Sequence, residues 1–191
     1  MQCTIIGASD SSVLWRFGKI KEKDYPKFVS DYALFLSKHF SDVVITPSDG
    51  VYADIGVEFG KITKKKPLAY YPDGDAFYSL KYFGKNLSQF DLKPIGGDVY
   101  KLDGSFVAIS NCVICLGLTP GGMIEISFMK YHQNYGALKD PKLKNIHLFI
   151  DERCIESRLP KVFHEQIANI YYYNSLDELE KLIYAHRVDL E

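Results

Sequence analysis

The segment Gly117-Leu-Thr-Pro-Gly-Gly-Met-Ile-Glu125 holds the residue types best suited to chemistry in this chain. Glycine, threonine and proline lie between an apolar run, Cys112 to Leu116, and a stretch with helical character opened by Gly121-Gly122. A strand, a glycine turn and a helix N-terminus make a natural site for an anion, because free backbone N–H groups converge there and the helix dipole presents its positive end. Glycines let a ligand approach the backbone closely. Glu125, expected in the first helical turn, has two readings: a carboxylate that complements the dipole, or a group that accepts ribose hydroxyls or moves a proton.

Two further loops carry ligand-compatible residues after apolar runs. Gly7, Ala8 and Ser9 follow Cys3–Ile6, and Ser48, Asp49 and Gly50 follow Val43–Ile45. In an open parallel sheet, ligands sit beyond the carboxyl ends of the strands, where strand order reverses. Three loops of glycine and hydroxyl residues on one rim therefore point to a phosphate or ribose site, with Gly117, Thr119, Gly121 and Gly122 as its third wall. Each loop alone could equally be a plain turn. No GxGxxG or Walker A pattern is present, which argues against an ordinary dinucleotide oxidoreductase or P-loop enzyme.

These loops need an alternating framework, and the chain supplies one. Strands are expected at Cys3–Ile6, Val43–Ile45, Pro67–Tyr71, Cys112–Leu116, Asn145–Ile150 and Ile170–Tyr173. Amphipathic stretches lie between them at 24–39, 52–63, 123–134 and 159–168, and a capping box at Ser175-Leu-Asp-Glu178 opens a last helix. Such alternation specifies an α/β fold around a mostly parallel sheet, read as one domain over residues 1–191. The middle is harder. Residues 72–94 show no period, with a short helix expected near 78–83. Residues 98–110 fit a helical stripe, although Asp103-Gly104 would also suit a hairpin turn; the helix is favoured.

Composition narrows the function classes. The 191 residues are 47% hydrophobic and 25% charged with a net charge of −1. That balance gives no global field toward nucleic acid or membrane, so neither is expected as a partner. No apolar window spans a bilayer and no signal peptide is recognisable, which points to the cytoplasm. Cys112 and Cys115 lie within one strand and face opposite ways, and the five histidines are dispersed in sequence. Neither metal nor cofactor is expected.

The order of elements and the three loops resemble the LOG-type, "lysine decarboxylase-like" Rossmann-like family of the SLOG superfamily. Its hallmark is PGGxGTxxE, preceded by an aspartate and a strand. Asn111 to Leu116 aligns with that aspartate and strand, and Gly117 to Glu125 with the hallmark, where Gly121 and Glu125 agree. Gly7-Ala-Ser9 and Ser48-Asp-Gly50 resemble the family's other glycine loops. An alternative register matches Pro120-Gly121-Gly122 to PGG but puts Phe128 at the glutamate. The resemblance implies a three-layer sandwich, a homodimer and hydrolysis of nucleoside 5′-monophosphates to free base, with Glu125 assisting water at the anomeric carbon. It also exposes departures. Leu118-Thr119 replaces the first glycine pair, Gly122 stands for threonine, and the position of the family's arginine is Leu102, beside Lys101. The departures favour nucleotide binding over catalysis. A non-catalytic nucleotide sensor or scaffold is the alternative, and a dimeric structural protein whose glycine loops are only turns is a third.

Overall fold

In a computed structural model, which describes residues 1–74 and 87–190, the chain builds a single sheet. Its elements are β1 (Gln2–Gly7), α1 (Val13–Arg16), α2 (Tyr25–His39), β2 (Asp42–Ile45), α3 (Val51–Thr63) and β3 (Leu68–Tyr71). Then come β4 (Asp91–Pro94), α4 (Val99–Phe106), β5 (Cys112–Leu116), α5 (Pro120–Asn134) and β6 (His147–Asp151). The chain closes with α6 (Lys161–Gln166), β7 (Ile170–Tyr173), α7 (Leu176–Ala185) and α8 (Arg187–Leu190). The seven strands run in the order β4-β3-β2-β1-β5-β6-β7, and every pairing is parallel. The fold is an α/β Rossmann-like three-layer sandwich.

Strand alternation builds the layers. Along β5, Cys112, Ile114 and Leu116 face a core shared with Phe28, Leu36, Ile55, Phe59, Leu179 and Ile183, from α2, α3 and α7. Val113 and Cys115 face the opposite core, with Leu102 and Phe106 of α4 and Ile126 and Met129 of α5. The period of two along the strand therefore sends the two cysteines to different faces, as their spacing requires. All four cysteines are free and buried.

β6 ends in a buried polar knot. Asp151 is fully buried and accepts from Arg153 Nη2 at 2.6 Å and Arg153 Nε at 2.9 Å, and from the Tyr32 hydroxyl. Tyr32 and Tyr173 share a hydroxyl contact at 2.8 Å, which ties α2, β6 and β7 together. Arg153 also lies over the Phe28 ring, 5.6 Å from its centroid.

β4 was not anticipated: it is a four-residue edge strand with an exposed proline at its end and an Asp91–Lys93 pair at 2.9 Å, so it lacks an apolar alternation to read. The short helix expected near 78–83 lies outside the described residues. Residues 98–110 resolve in favour of helix, with Asp98 Oδ1 accepting from the Lys101 N–H at the N-terminus. Among the described residues, no helix is long and apolar enough to cross a membrane.

Candidate functional site

Strand order reverses at β1, whose neighbours are β2 on one side and β5 on the other. A cavity of about 540 Å³ opens there, above the carboxyl ends of β1 and β2 and against the N-terminal parts of α3 and α5 and one face of α4. Gly7, Ser9, Ser48, Asp49, Thr119, Gly121, Gly122 and Glu125 line it, so the three loops do meet on one rim. Ala8, Gly50 and Gly117 are buried and stand behind the lining.

Those three positions lock the loops to one another. Gly50 has φ +112°, and a Cβ there would lie 2.4 Å from the Ala8 carbonyl oxygen. Gly117, at φ +115°, brings its Cα against the Ala8 methyl, with 3.3 Å left for a Cβ. Only glycine fits such close crossings. The Val51 N–H donates to the Ala8 carbonyl at 3.0 Å and the Ala8 N–H to the Leu116 carbonyl at 3.3 Å, completing the lock.

α5 begins at Pro120, with Thr119 Oγ1 accepting from the Gly122 N–H at 3.2 Å. Pro120 has no N–H, and the Met123 N–H bonds the Thr119 carbonyl. The Gly121 N–H is left without an acceptor among the described residues, at the positive end of the helix. Around Gly121 the space is open: the nearest atom to a Cβ there would be Thr119 Oγ1 at 4.0 Å. α3 likewise starts at Gly50 without a side-chain cap.

Glu125 is the sixth residue of α5 and therefore sits in the second turn, not the first. The dipole-complement reading fails with that shift, since the dipole's influence fades beyond the first turn. Its side chain is 9% exposed and makes no hydrogen bond or ion pair with another described residue. Burial, then the nearby Asp103 carboxylate, pushes its pKa up to about 8. Asp103, on α4, is raised by burial to about 6. The two carboxyls lose their protons in sequence, so the repulsion falls on Glu125, which ionises second. At neutral pH the pair holds a proton on Glu125 and a charge on Asp103.

Asp103 eluded the sequence reading, as did Tyr52, whose hydroxyl hydrogen-bonds the Ser48 hydroxyl on the same rim. Asp103-Gly104 reads as a turn in sequence. In the fold Gly104 instead lets α4 approach α5, with the Phe128 ring 3.3 Å from where its Cβ would be. Leu102, at the family's arginine position, is 2% exposed and lines the cavity as an apolar wall with Val99 and Phe106. Lys101 does not replace the arginine, because it is exposed and its stem lies over the Gly96-Gly97 turn. Among the described residues, no Lys, Arg or His lines the cavity.

The histidines are not all dispersed. His147, His186 and Asp189 bring one ligating atom each within 4.8 Å of the others, at the opposite end of the sheet from the cavity. The two histidines stand 39 positions apart in sequence, so no spacing rule could have joined them.

No family model matches the chain, and no curated protein sequence matches it. Solved structures do share its fold. The molybdenum cofactor carrier protein of Chlamydomonas reinhardtii aligns over 98% of both chains with a TM-score of 0.61 at 12% identity. The molybdenum cofactor binding protein of Rippkaea orientalis aligns over 96% of this chain and 95% of its own, with a TM-score of 0.56 at 13% identity. DNA processing protein A of Helicobacter pylori, described for its single-stranded DNA binding mode, aligns over 97% of this chain and 80% of its own, at a TM-score of 0.55 and 14% identity. That last likeness overturns the exclusion of nucleic acid as a partner, because a near-neutral net charge does not separate this chain from a fold that includes a DNA-binding protein. At these identities the likenesses establish the Rossmann-like fold of the chain.

Proposed function

We propose that this chain binds a nucleotide or nucleotide derivative in the cavity at the strand-order reversal, without hydrolysing it. The carrying observation is the buried Glu125, without a partner among the described residues, beside the open first turn of α5 and inside a cavity rimmed by all three strand-exit loops. The phosphate would face the Gly121 N–H and the hydroxyls of Ser9 and Ser48. Ribose hydroxyls would meet Asp103 and Glu125, and the base would lie against Val99, Leu102 and Phe106. The resemblance to the LOG-type family around Gly121 and Glu125 supports the ligand class. The apolar Leu102 and the outward Lys101 argue against N-glycosidic cleavage, since no cation of the described residues can oppose charge in the cavity.

The test is a thermal-shift panel of nucleoside mono- and diphosphates, with chromatography for free base on the same samples. A rise in Tm of several degrees without base release is expected. No shift with any nucleotide would overturn binding, and release of base would overturn the non-catalytic half. A second reading, carriage of the molybdenum cofactor, is favoured by the shared fold with two proteins described as binding it. Molybdenum copurifying with the wild-type chain but not with a Gly121→Trp variant would support it over the nucleotide reading.

A further inference from the structure

At the amino end of β6, far from the cavity, His147 is 2% exposed and its ring sits in an aromatic wall. Tyr171 stacks on it at 5.7 Å, with Phe149 at 6.2 Å and His186 at 4.9 Å between centroids. Neither ring nitrogen makes a hydrogen bond among the described residues: Nδ1 is buried without a partner, and Nε2 lies 3.7 Å from Asp189 Oδ2. A buried Nδ1 without a partner costs free energy, because it has given up its water and gained nothing in exchange. Asp189 is 46% exposed, so water reaches one side of the group.

We propose that His147, His186 and Asp189 form a binding site for a divalent transition ion of the Zn²⁺ class, which fastens α8 to the sheet. Two imidazoles and one carboxylate are the donor set of an open, three-ligand zinc site, with water in the fourth position. This mixture of nitrogen and oxygen selects Zn²⁺, Co²⁺ or Ni²⁺ over Mg²⁺ and Ca²⁺, which prefer oxygen alone. Bonds of about 2.0–2.2 Å require the donor atoms to stand roughly 3.5 Å apart, against the 4.8 Å that encloses them here. The closure falls on His186 and Asp189, which lie at the end of α7 and in α8 with partly exposed side chains, while His147 is fixed in the sheet. The backbone is already positioned: the Asp189 carbonyl accepts from Asn111 Nδ2 at 3.1 Å, and the Asn111 carbonyl accepts from the His147 N–H at 2.8 Å. One hydrogen-bonded path therefore joins β5, β6 and α8 around the three donors.

The experiment titrates the full chain, stripped with chelator, with Zn²⁺ and separately with Co²⁺. Wild-type protein should bind one equivalent of each and gain several degrees in Tm. Bound Co²⁺ should show visible d–d bands without thiolate charge-transfer bands, which excludes the four cysteines as ligands. Loss of even a supporting group around a metal costs 10–100-fold in affinity, so removing a ligand should cost about a hundredfold or more. His186→Ala and Asp189→Asn should each do so, and both sit at partly exposed positions near the end of the chain's last helices; His164→Ala, elsewhere on the surface, should change nothing. Absence of saturable binding would overturn the proposal. So would equal binding by the two ligand variants, loss through His164→Ala, or a preference for Mg²⁺ or Ca²⁺.

Discussion

Replacing Glu125 by glutamine turns the electrostatics of the cavity into a measurable stability. In the folded chain, burial and Asp103 raise the Glu125 carboxyl from 4.5 to about 8. Below pH 4.5 both folded and unfolded states hold the proton, and the group is neutral in the balance. Between pH 4.5 and 8 the unfolded chain releases it while the folded chain keeps it, so folding binds a proton and stability falls as pH rises. At about 1.4 kcal/mol per pH unit, the loss amounts to about 3 kcal/mol by pH 7 and about 5 kcal/mol by pH 8, above which it is constant. A side chain only 9% exposed leaves little solvent screening to reduce these figures. Glutamine keeps the shape and carries no charge to desolvate. Wild type and Glu125→Gln should therefore match at pH 5 in urea denaturation, and the variant should lead by about 3–5 kcal/mol at pH 8. A carboxyl carbon-13 titration of Glu125 should show its midpoint near 8. Parallel stability curves for the two proteins between pH 5 and 9, or a midpoint near 4.5, would refute the reasoning.

Gly50→Ala should lose about 2–3 kcal/mol in the same assay, because φ is +112° and the new methyl meets the Ala8 carbonyl at 2.4 Å. Gly121→Trp should instead leave stability within about 1 kcal/mol, since the side chain enters open space, yet abolish any thermal shift by nucleotides. Arg153→Ala should cost about 3–5 kcal/mol by leaving Asp151 buried without its cation, and adding Asp151→Asn should restore much of the loss. Thr119→Ala should cost about 1 kcal/mol through the lost cap on Gly122 and lower the helical signal of the chain only slightly.

What could be read in advance was what local pattern controls. β5 and β7 begin and end where their apolar runs do, and Ser175 caps α7 by accepting from the Glu178 N–H at 3.2 Å. The switch-point cavity followed from three strand-exit loops of similar chemistry, which the parallel topology must bring to one edge. Three residues expected to touch a ligand stand behind the cavity lining and let the loops cross: Ala8, Gly50 and Gly117 carry the same sequence signal for both purposes. Asp103 was hidden because its partner is 22 residues away on another helix, and an Asp-Gly pair signals a turn more strongly than a close helix contact. The His147–His186–Asp189 group was hidden more completely. It depends on the chain returning from α7 to the amino end of β6, and nothing in the local pattern of 145–150 encodes that return.

The cavity combines two fields that would work against each other in a single simple ligand. The Gly121 N–H and the start of α5 favour negative charge, while Asp103 and Glu125, with no cation among the described lining residues, repel it. A bare phosphate or a dicarboxylate satisfies the first and is opposed by the second. A purely cationic ligand does the reverse. A molecule with an anionic end and a donor-rich end meets both, with its N–H or O–H groups pairing the carboxyls while its anion faces the loops. Protonation of Glu125 near pH 8 then becomes useful, because at neutral pH the pair offers one acceptor, Asp103, and one group that can donate or accept. Neutralising Asp103 by asparagine should lower the Glu125 midpoint from about 8 while burial still holds it above 4.5, and it should weaken ligands with donor-rich ends while strengthening inorganic phosphate. No change in either would mean that the carboxyls do not face the ligand, and would separate the acidic wall from the anion site at the head of α5.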